Sequence, residues 1–434
     1  MMNMRKKTTG ILAALLALTL LLTACGQTDA GKTDPEPEVP AATAFVPGLD
    51  TEKEVTLHVG SFFGNFEALV EVQNDFNEFY PNVTLDIQNV GRSDRPDFFQ
   101  NNPGLDIFMT SNERGYPAES CVDLLGAGVD VSDAMEDVIE GNKLDGTLYT
   151  LPMSLTLKGM VVNKTLLESE GLTVPETWGE FLSALEVLKE KGYTPIQGPD
   201  AAVATLCCDM AMAMMADDPA LLQAVRSGDA AGAEALNAAF ERLVTLMDKG
   251  YIDSAVNAEY PEDNYDAAIL KFFEGDVPFW ACDTEKVSGM RKRESKSETF
   301  AANPFEYAFM YVPMGENGAY KYVEPWYGFA VNKDSEQQEY AIEFLRFMAR
   351  GDELNTLAEV KGVPSIAKVS EDSRYANLNG AKIEVAVVSD GTVPAYFSQC
   401  VTNAAAGLLS GEAADAGAAT AAFVAACSAG ENAE

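Results

Sequence analysis

Histidine is almost missing from this chain of 434 residues: His58 is the only one. The seven cysteines contain no C-x-x-C spacing. A zinc site needs several such ligands at short spacing, so a zinc-centred function is not expected. Basic residues are also scarce, 30 Lys and Arg against 67 Asp and Glu, for a formal net charge of −37. Binding to nucleic acid requires cations that neutralise phosphates, and this balance argues against it. No segment beyond the first residues is long and apolar enough to cross a bilayer. A nucleophile elbow and a Gly-rich phosphate loop are lacking too, which speaks against hydrolytic and nucleotide chemistry of those kinds.

What is present starts with Arg5, Lys6 and Lys7, then the apolar run Ile11–Leu22, then Leu22-Thr23-Ala24-Cys25. A basic start and a short apolar core make an export signal, too short to span a membrane. Its ending resembles the lipobox of bacterial lipoproteins, which implies a signal peptide over 1–24 and lipid on Cys25. Residues 25–51, rich in Pro, Thr, Asp and Glu, are expected to form a disordered tether. The acidic surface suits solubility outside the cell. Of the remaining cysteines, Cys121, Cys207, Cys208, Cys282, Cys400 and Cys427, most are expected to be buried thiols, with a Cys400–Cys427 bridge as the alternative.

At this length the chain exceeds one ordinary core and is long enough for two lobes. Val55–Val59 alternates as a strand, with His58 on its polar side. A helix follows, with Phe66, Leu69, Val70, Phe76, Phe79 and Tyr80 as its apolar stripe and Pro81 as its stop. Val83, Leu85 and Ile87 make a second strand and Leu105–Met109 a third. This strand–helix–strand order predicts a parallel crossover. Further on, Met160–Val162 is a short strand preceded by Pro152, which is confined to an edge or crossing point. Asn163 opens a short helix that Gly171 stops. Thr177 and Glu180 form a capping box ahead of a helix carrying Phe181, Leu182, Leu185 and Leu188. Helices are also expected over 207–216, 235–249 and 266–273, and strands over 277–281 and 309–313. Arg291, Lys292, Arg293 and Lys296 are expected in a solvated loop. Ser335 and Gln338 are expected to cap a helix burying Tyr340, Ile342, Phe344, Leu345 and Met348.

Residues 144–196 carry the most specific pattern: Asp145-Gly146, Tyr149, Leu151-Pro152, Asn163-Lys164, Gly171-Leu172, Pro175, Thr177-Trp178, Glu180-Phe181, Lys191-Gly192-Tyr193 and Pro195. This ordered run resembles the central signature of carbohydrate-type extracellular solute-binding proteins, family 1, of ABC importers. A second block, Glu324-Pro-Trp-Tyr-Gly-Phe-Ala-Val-Asn-Lys333, resembles the family's later G-x-G-x-W-G-x-A-I-N-K segment, with Tyr327 at the usual tryptophan position. Between them, Phe273, Gly275 and Phe279–Glu285 keep the family's frame, but Glu285 stands where a tryptophan is usual and Trp280 is the nearest aromatic. Trp178 is expected to pack at its helix start.

The resemblance implies an α/β, two-lobe, hinged periplasmic-binding-protein-like fold (type II), with mixed or parallel sheets flanked by helices. One lobe is expected to combine 52–152 with 329–370 and the other 153–328 with 371–434. It implies a receptor without catalysis or cofactor, a monomeric lipoprotein held on the outer face of a bacterial membrane by Cys25. Its partners would be a small carbohydrate and two permease subunits with a cytoplasmic ATPase. Strand ends are where open α/β sheets bind ligands, so the candidate ligand residues are Phe62, Phe63, Asn65, Ser111, Glu113, Ser154, Trp280, Asp283, Glu324, Trp326 and Tyr327. Aromatic faces with acids and amides suit sugars. The same mixture would also cage a polyamine or other cation. Glu113 and Asp283 would be the carboxylate pair of a tethered glycoside hydrolase, the third and weakest reading.

Overall fold

A computed structural model describes residues 45–430, apart from residues 65, 112–115, 157, 227–228, 230–232, 261–263, 314–317, 371–372, 376–382 and 389–394. The leader, Cys25, most of the tether, Asn65 and Glu113 therefore lie outside the described residues. Residues 44–434 form one compact unit.

Among the described residues, ten strands make two sheets. The first contains β1 (Val55–Ser61), β2 (Val83–Asn89), β3 (Ile107–Ser111), β4 (Leu151–Thr156), β9 (Ala319–Val331) and β10 (Ile383–Val388), in the order β10-β9-β3-β1-β2 with β4 also on β9. The second contains β5 (Lys158–Asn163), β6 (Ile196–Gln197), β7 (Phe279–Asp283) and β8 (Tyr307–Met310), in the order β6-β7-β5-β8. β1 runs parallel to both β2 and β3, as the expected crossover requires. β9 returns antiparallel to β3 and β4, so the first sheet is mixed.

Both faces of β7 are buried. Phe279 and Ala281 join one hydrophobic cluster, and Trp280 and Cys282 join the other. That is why the stretch is apolar without alternation. The cluster on the Trp280 side is continuous with the core under β1, β3 and β9. The helices Trp178–Glu190, Asp200–Asp217, Asn237–Asp248 and Ala395–Ser410 supply the cluster on the opposite face.

Two segments pass between the sheets, β4 into β5 and β8 into β9. Close approach of β9 to the start of β4 is enforced by glycine. A Cβ on Gly328 would stand 2.5 Å from the Leu151 carbonyl oxygen of the paired β4 strand. Pro152 sits opposite Gly328 in β4, a strand paired with β9 alone among the described residues. An edge position tolerates its missing N–H. The expected lobe boundaries at 152 and 329 fall inside β4 and β9. Along their described lengths both strands belong to the first sheet.

Local details differ from the sequence expectations in instructive ways. The helix Glu67–Asn77 buries Leu69, Val72 and Phe76, while Val70 is exposed because it lies on the opposite face. The Thr177 hydroxyl accepts from the Glu180 amide, but the Glu180 carboxylate reaches Glu176 N rather than Thr177 N, so the capping box is only half closed. Arg291, Lys292 and Arg293 end a helix, Thr284–Glu294, instead of lying in a loop. The Arg293 guanidinium and the Lys296 ammonium both pair with Asp266. Ser335 does not cap the helix Gln338–Met348; its hydroxyl donates to Asp106 and accepts from the Gln337 amide. Gln338 likewise turns back to the Lys333 carbonyl. On that helix Phe347 is buried and Ile342 only partly so. All six remaining cysteines are buried thiols.

The tether ends earlier than its composition suggested. Phe45 is buried, and the Gly48 amide donates to the Tyr80 hydroxyl at 2.8 Å and to Glu343 Oε1 at 3.0 Å. The Arg346 guanidinium covers the Phe45 ring at 4.4 Å and donates to the Val46 carbonyl at 2.8 Å.

Candidate functional site

Four of the expected rings meet where β1 ends. β1 closes at Ser61, whose hydroxyl accepts from the Phe63 amide at 3.1 Å and so turns the chain directly after the strand. Phe62 and Phe63 therefore sit at the carboxyl end of a parallel strand. Their ring centroids lie 4.9 Å apart. Phe63 also lies 5.7 Å from Trp326 and 5.1 Å from Tyr327, both on β9, and these two rings are 5.4 Å from one another. Phe62, Phe63 and Trp326 are partly exposed, whereas Tyr327 is 1% exposed.

Tyr327 is flanked on both sides by candidate serines. Its backbone pairs with Ser111 of β3 and with Ser154 of β4. Both serines are buried. The Ser154 hydroxyl donates to the Pro364 carbonyl at 3.3 Å, so it is already engaged. The Tyr327 hydroxyl is buried with no hydrogen-bond partner among the described residues. Burial pushes its phenol well above the usual tyrosine range.

The two acidic candidates within the described strands bracket the crossing. Glu324 pairs with Thr156 at the end of β4, and Asp283 pairs with Lys158 at the start of β5. One residue separates Thr156 from Lys158 in the chain, so the backbones of Glu324 and Asp283 stand beside the same crossing from opposite sheets.

Trp280 does not join the ring cluster. It is fully buried and stacks on Phe272 of the helix Tyr265–Phe272, with centroids 5.5 Å apart and planes at 22°. The alternation of β7 points it under that helix, where a large apolar ring fills the core. Of the expected ligand residues, Trp280 is thus packed in the core, and Tyr327 lies buried against Phe63 and Trp326.

Two cations that the sequence did not single out lie over these rings. The Lys361 ammonium is 4.5 Å from the Phe63 centroid, and the Arg92 guanidinium is 5.7 Å from that of Phe62. Lys361 is the last residue of the helix Gly351–Lys361, where a cation is ordinarily explained by the helix dipole. That ordinary position hid it. A separate groove of about 700 Å³ is lined by Glu234, Asn237, Thr420, Ala421 and Val424, and shares no residue with the ring cluster.

A mixed α/β chain with rings gathered at strand ends beside a two-strand crossing has the architecture of a binding protein. Comparison with known proteins is consistent. Residues 63–351 match the bacterial extracellular solute-binding protein family, and the chain belongs to it. The sugar-binding protein MalE from Xanthomonas citri is similar in fold, with a TM-score of 0.67 at 17% identity over 87% of this chain and 96% of that one. A sugar transporter of Bacillus licheniformis, solved in complex with stachyose, gives 0.57 at 19% identity over 85% and 98%. The fold is thus the two-lobe α/β fold of solute-binding proteins. In sequence, a segment of 53 residues is 40% identical to the Multiple sugar-binding protein of Streptococcus mutans, a match that spans 12% of this chain and 13% of that protein.

Proposed function

We propose that this protein captures a small saccharide at the cluster of Phe62, Phe63 and Trp326, without transforming it, and delivers it to an ABC permease. Two permease subunits and a cytoplasmic ATPase complete the importer. Cys25 carries the lipid that holds a monomeric receptor at the outer face of the membrane. Multiple acyl chains suffice for this, since each buried CH₂ contributes about 0.8 kcal/mol. The two lobes are built on the two sheets, dividing near 152 and 329, and close by a hinge at the crossings of β4 into β5 and β8 into β9.

The observation that carries the reading is the convergence of partly exposed rings on a strand tip next to the crossing of both sheets. Sugars present C–H faces to such rings and hydroxyls to acids and amides, the part proposed for Asp283, Glu324, Asn65 and Glu113. Similar proteins are described as sugar-binding, one of them in complex with stachyose. The polyamine reading is disfavoured by Lys361 and Arg92, which already place positive charge over two of the rings.

Isothermal titration calorimetry with a panel of oligosaccharides, spermidine and short peptides tests the proposal. Saturable binding by a saccharide, weakened at least tenfold in Trp326→Ala, is expected. Binding by spermidine alone would overturn it, and release of monosaccharides from an oligosaccharide would favour the hydrolase.

A further inference from the structure

The carboxyl end of β2 reaches the same edge as Phe62. β1 and β2 run parallel and in register to their last pair, Ser61 opposite Asn89. The Val90 amide then donates to the Ser61 carbonyl at 2.9 Å, so the two chains stay joined one residue past the strands. Two residues further on, the Arg92 guanidinium lies 5.7 Å from the centroid of Phe62. Asn89 reaches the same turn, with its Nδ2 3.7 Å from the place that a Cβ on Gly64 would occupy.

A surface arginine or asparagine ordinarily meets only water. Arg92 departs from that pattern, because it is partly covered and lies over a ring of the candidate site. The chain has 67 acidic side chains against 30 basic ones, yet among the described residues no hydrogen bond or ion pair engages this guanidinium. The exposed Asn89 amide is likewise without a hydrogen bond among the described residues. Meanwhile the segment that carries Arg92 is fixed, by the Val90 amide on one side and by the buried Ser93 on the other. A planar fork of five N–H donors, held against a ring on a fixed segment, loses little freedom on meeting a partner.

We infer that Arg92 and Asn89 are specificity-determining donors of the first sheet, which hydrogen-bond hydroxyl oxygens of a sugar ring lying against Phe62 and so select its hydroxyl configuration. The inference rests on the saccharide-receptor reading above and names the residues that orient its solute. Stacking on an aromatic face discriminates poorly between sugars that differ in one hydroxyl. A donor fork does so well, because a missing or inverted hydroxyl leaves its N–H groups desolvated and unpaired.

Calorimetric titration of raffinose, stachyose, maltotriose and chitotriose identifies the tightest binder. Monodeoxy derivatives of that sugar are then titrated into wild type, Arg92→Met and Asn89→Ala. Arg92→Met is expected to weaken the parent sugar about tenfold or more, and Asn89→Ala about threefold or more. At least one monodeoxy derivative should bind wild type more weakly than the parent and lose less than about twofold on Arg92→Met, because the bond is already gone. Thermal melts establish that both variants are folded. Unchanged affinity in either folded variant, or the same loss on Arg92→Met for the parent and every derivative, would overturn the inference while leaving the saccharide reading intact. Failure of every one of these sugars to bind would overturn that reading as well.

Discussion

Phe63 meets Tyr327 edge to face, with ring centroids 5.1 Å apart and planes at 86°. The contact ties the turn after β1 to the middle of β9, so the exposed rings rest on a buried one. Because the Tyr327 hydroxyl has no partner among the described residues, it adds a desolvation cost without a compensating bond. Tyr327→Phe is expected to hold or raise stability, by up to about 1 kcal/mol. Tyr327→Ala, which removes the ring, should cost about 3–5 kcal/mol. Urea denaturation measures both, and a clear loss in Tyr327→Phe would mean that the hydroxyl is bonded.

Phe45 is the point at which the tether joins the body. Its ring packs edge-on against Phe79 and Phe347 at 5.2 and 5.1 Å, under the Arg346 guanidinium. Phe45→Ala should cost about 3 kcal/mol, in the range for a buried aromatic. A melting temperature unchanged from wild type would show that residues 45–50 are not held in solution.

Glu353 supplies a pH dependence. It is buried in the helix Gly351–Lys361, and burial first, then the charge of Asp75, pushes its carboxyl up to about 7 from 4.5; Arg350 opposes the shift. A folded-state pKa above the unfolded one favours the folded protein when the group is protonated. That stability is fully present below about 4.5 and is lost as pH rises through about 7. Glu353→Gln should therefore raise stability by about 1–3 kcal/mol at pH 8 and leave it nearly unchanged at pH 4.5. Equal effects at the two pH values would contradict this origin.

Much of the fold was legible locally. The alternation of Val83, Leu85 and Ile87 and the stop at Gly171 correspond to a strand and to a left-handed position. Phe62 and Phe63 could be placed because a strand end is a local property and ligands favour that edge. What escaped depends on which face a strand turns to a partner distant in sequence. Trp280 and Trp326 both stand in aromatic strand segments, yet the helix Tyr265–Phe272 covers one and leaves the other partly open. Lys361 was invisible for the same reason, since nothing near it in sequence announces Phe63, almost three hundred residues earlier. The clamp on Phe45 likewise uses Tyr80, Glu343 and Arg346, none of which the composition of the tether could reveal.

Hydrogen–deuterium exchange of the free and saccharide-saturated protein is the most direct test of where the solute is held. Protection should concentrate in residues 61–64, 324–328 and the end of the helix Gly351–Lys361. Protection confined to the groove of Glu234, Asn237, Thr420 and Val424, with the ring cluster unchanged, would contradict capture at the strand tips.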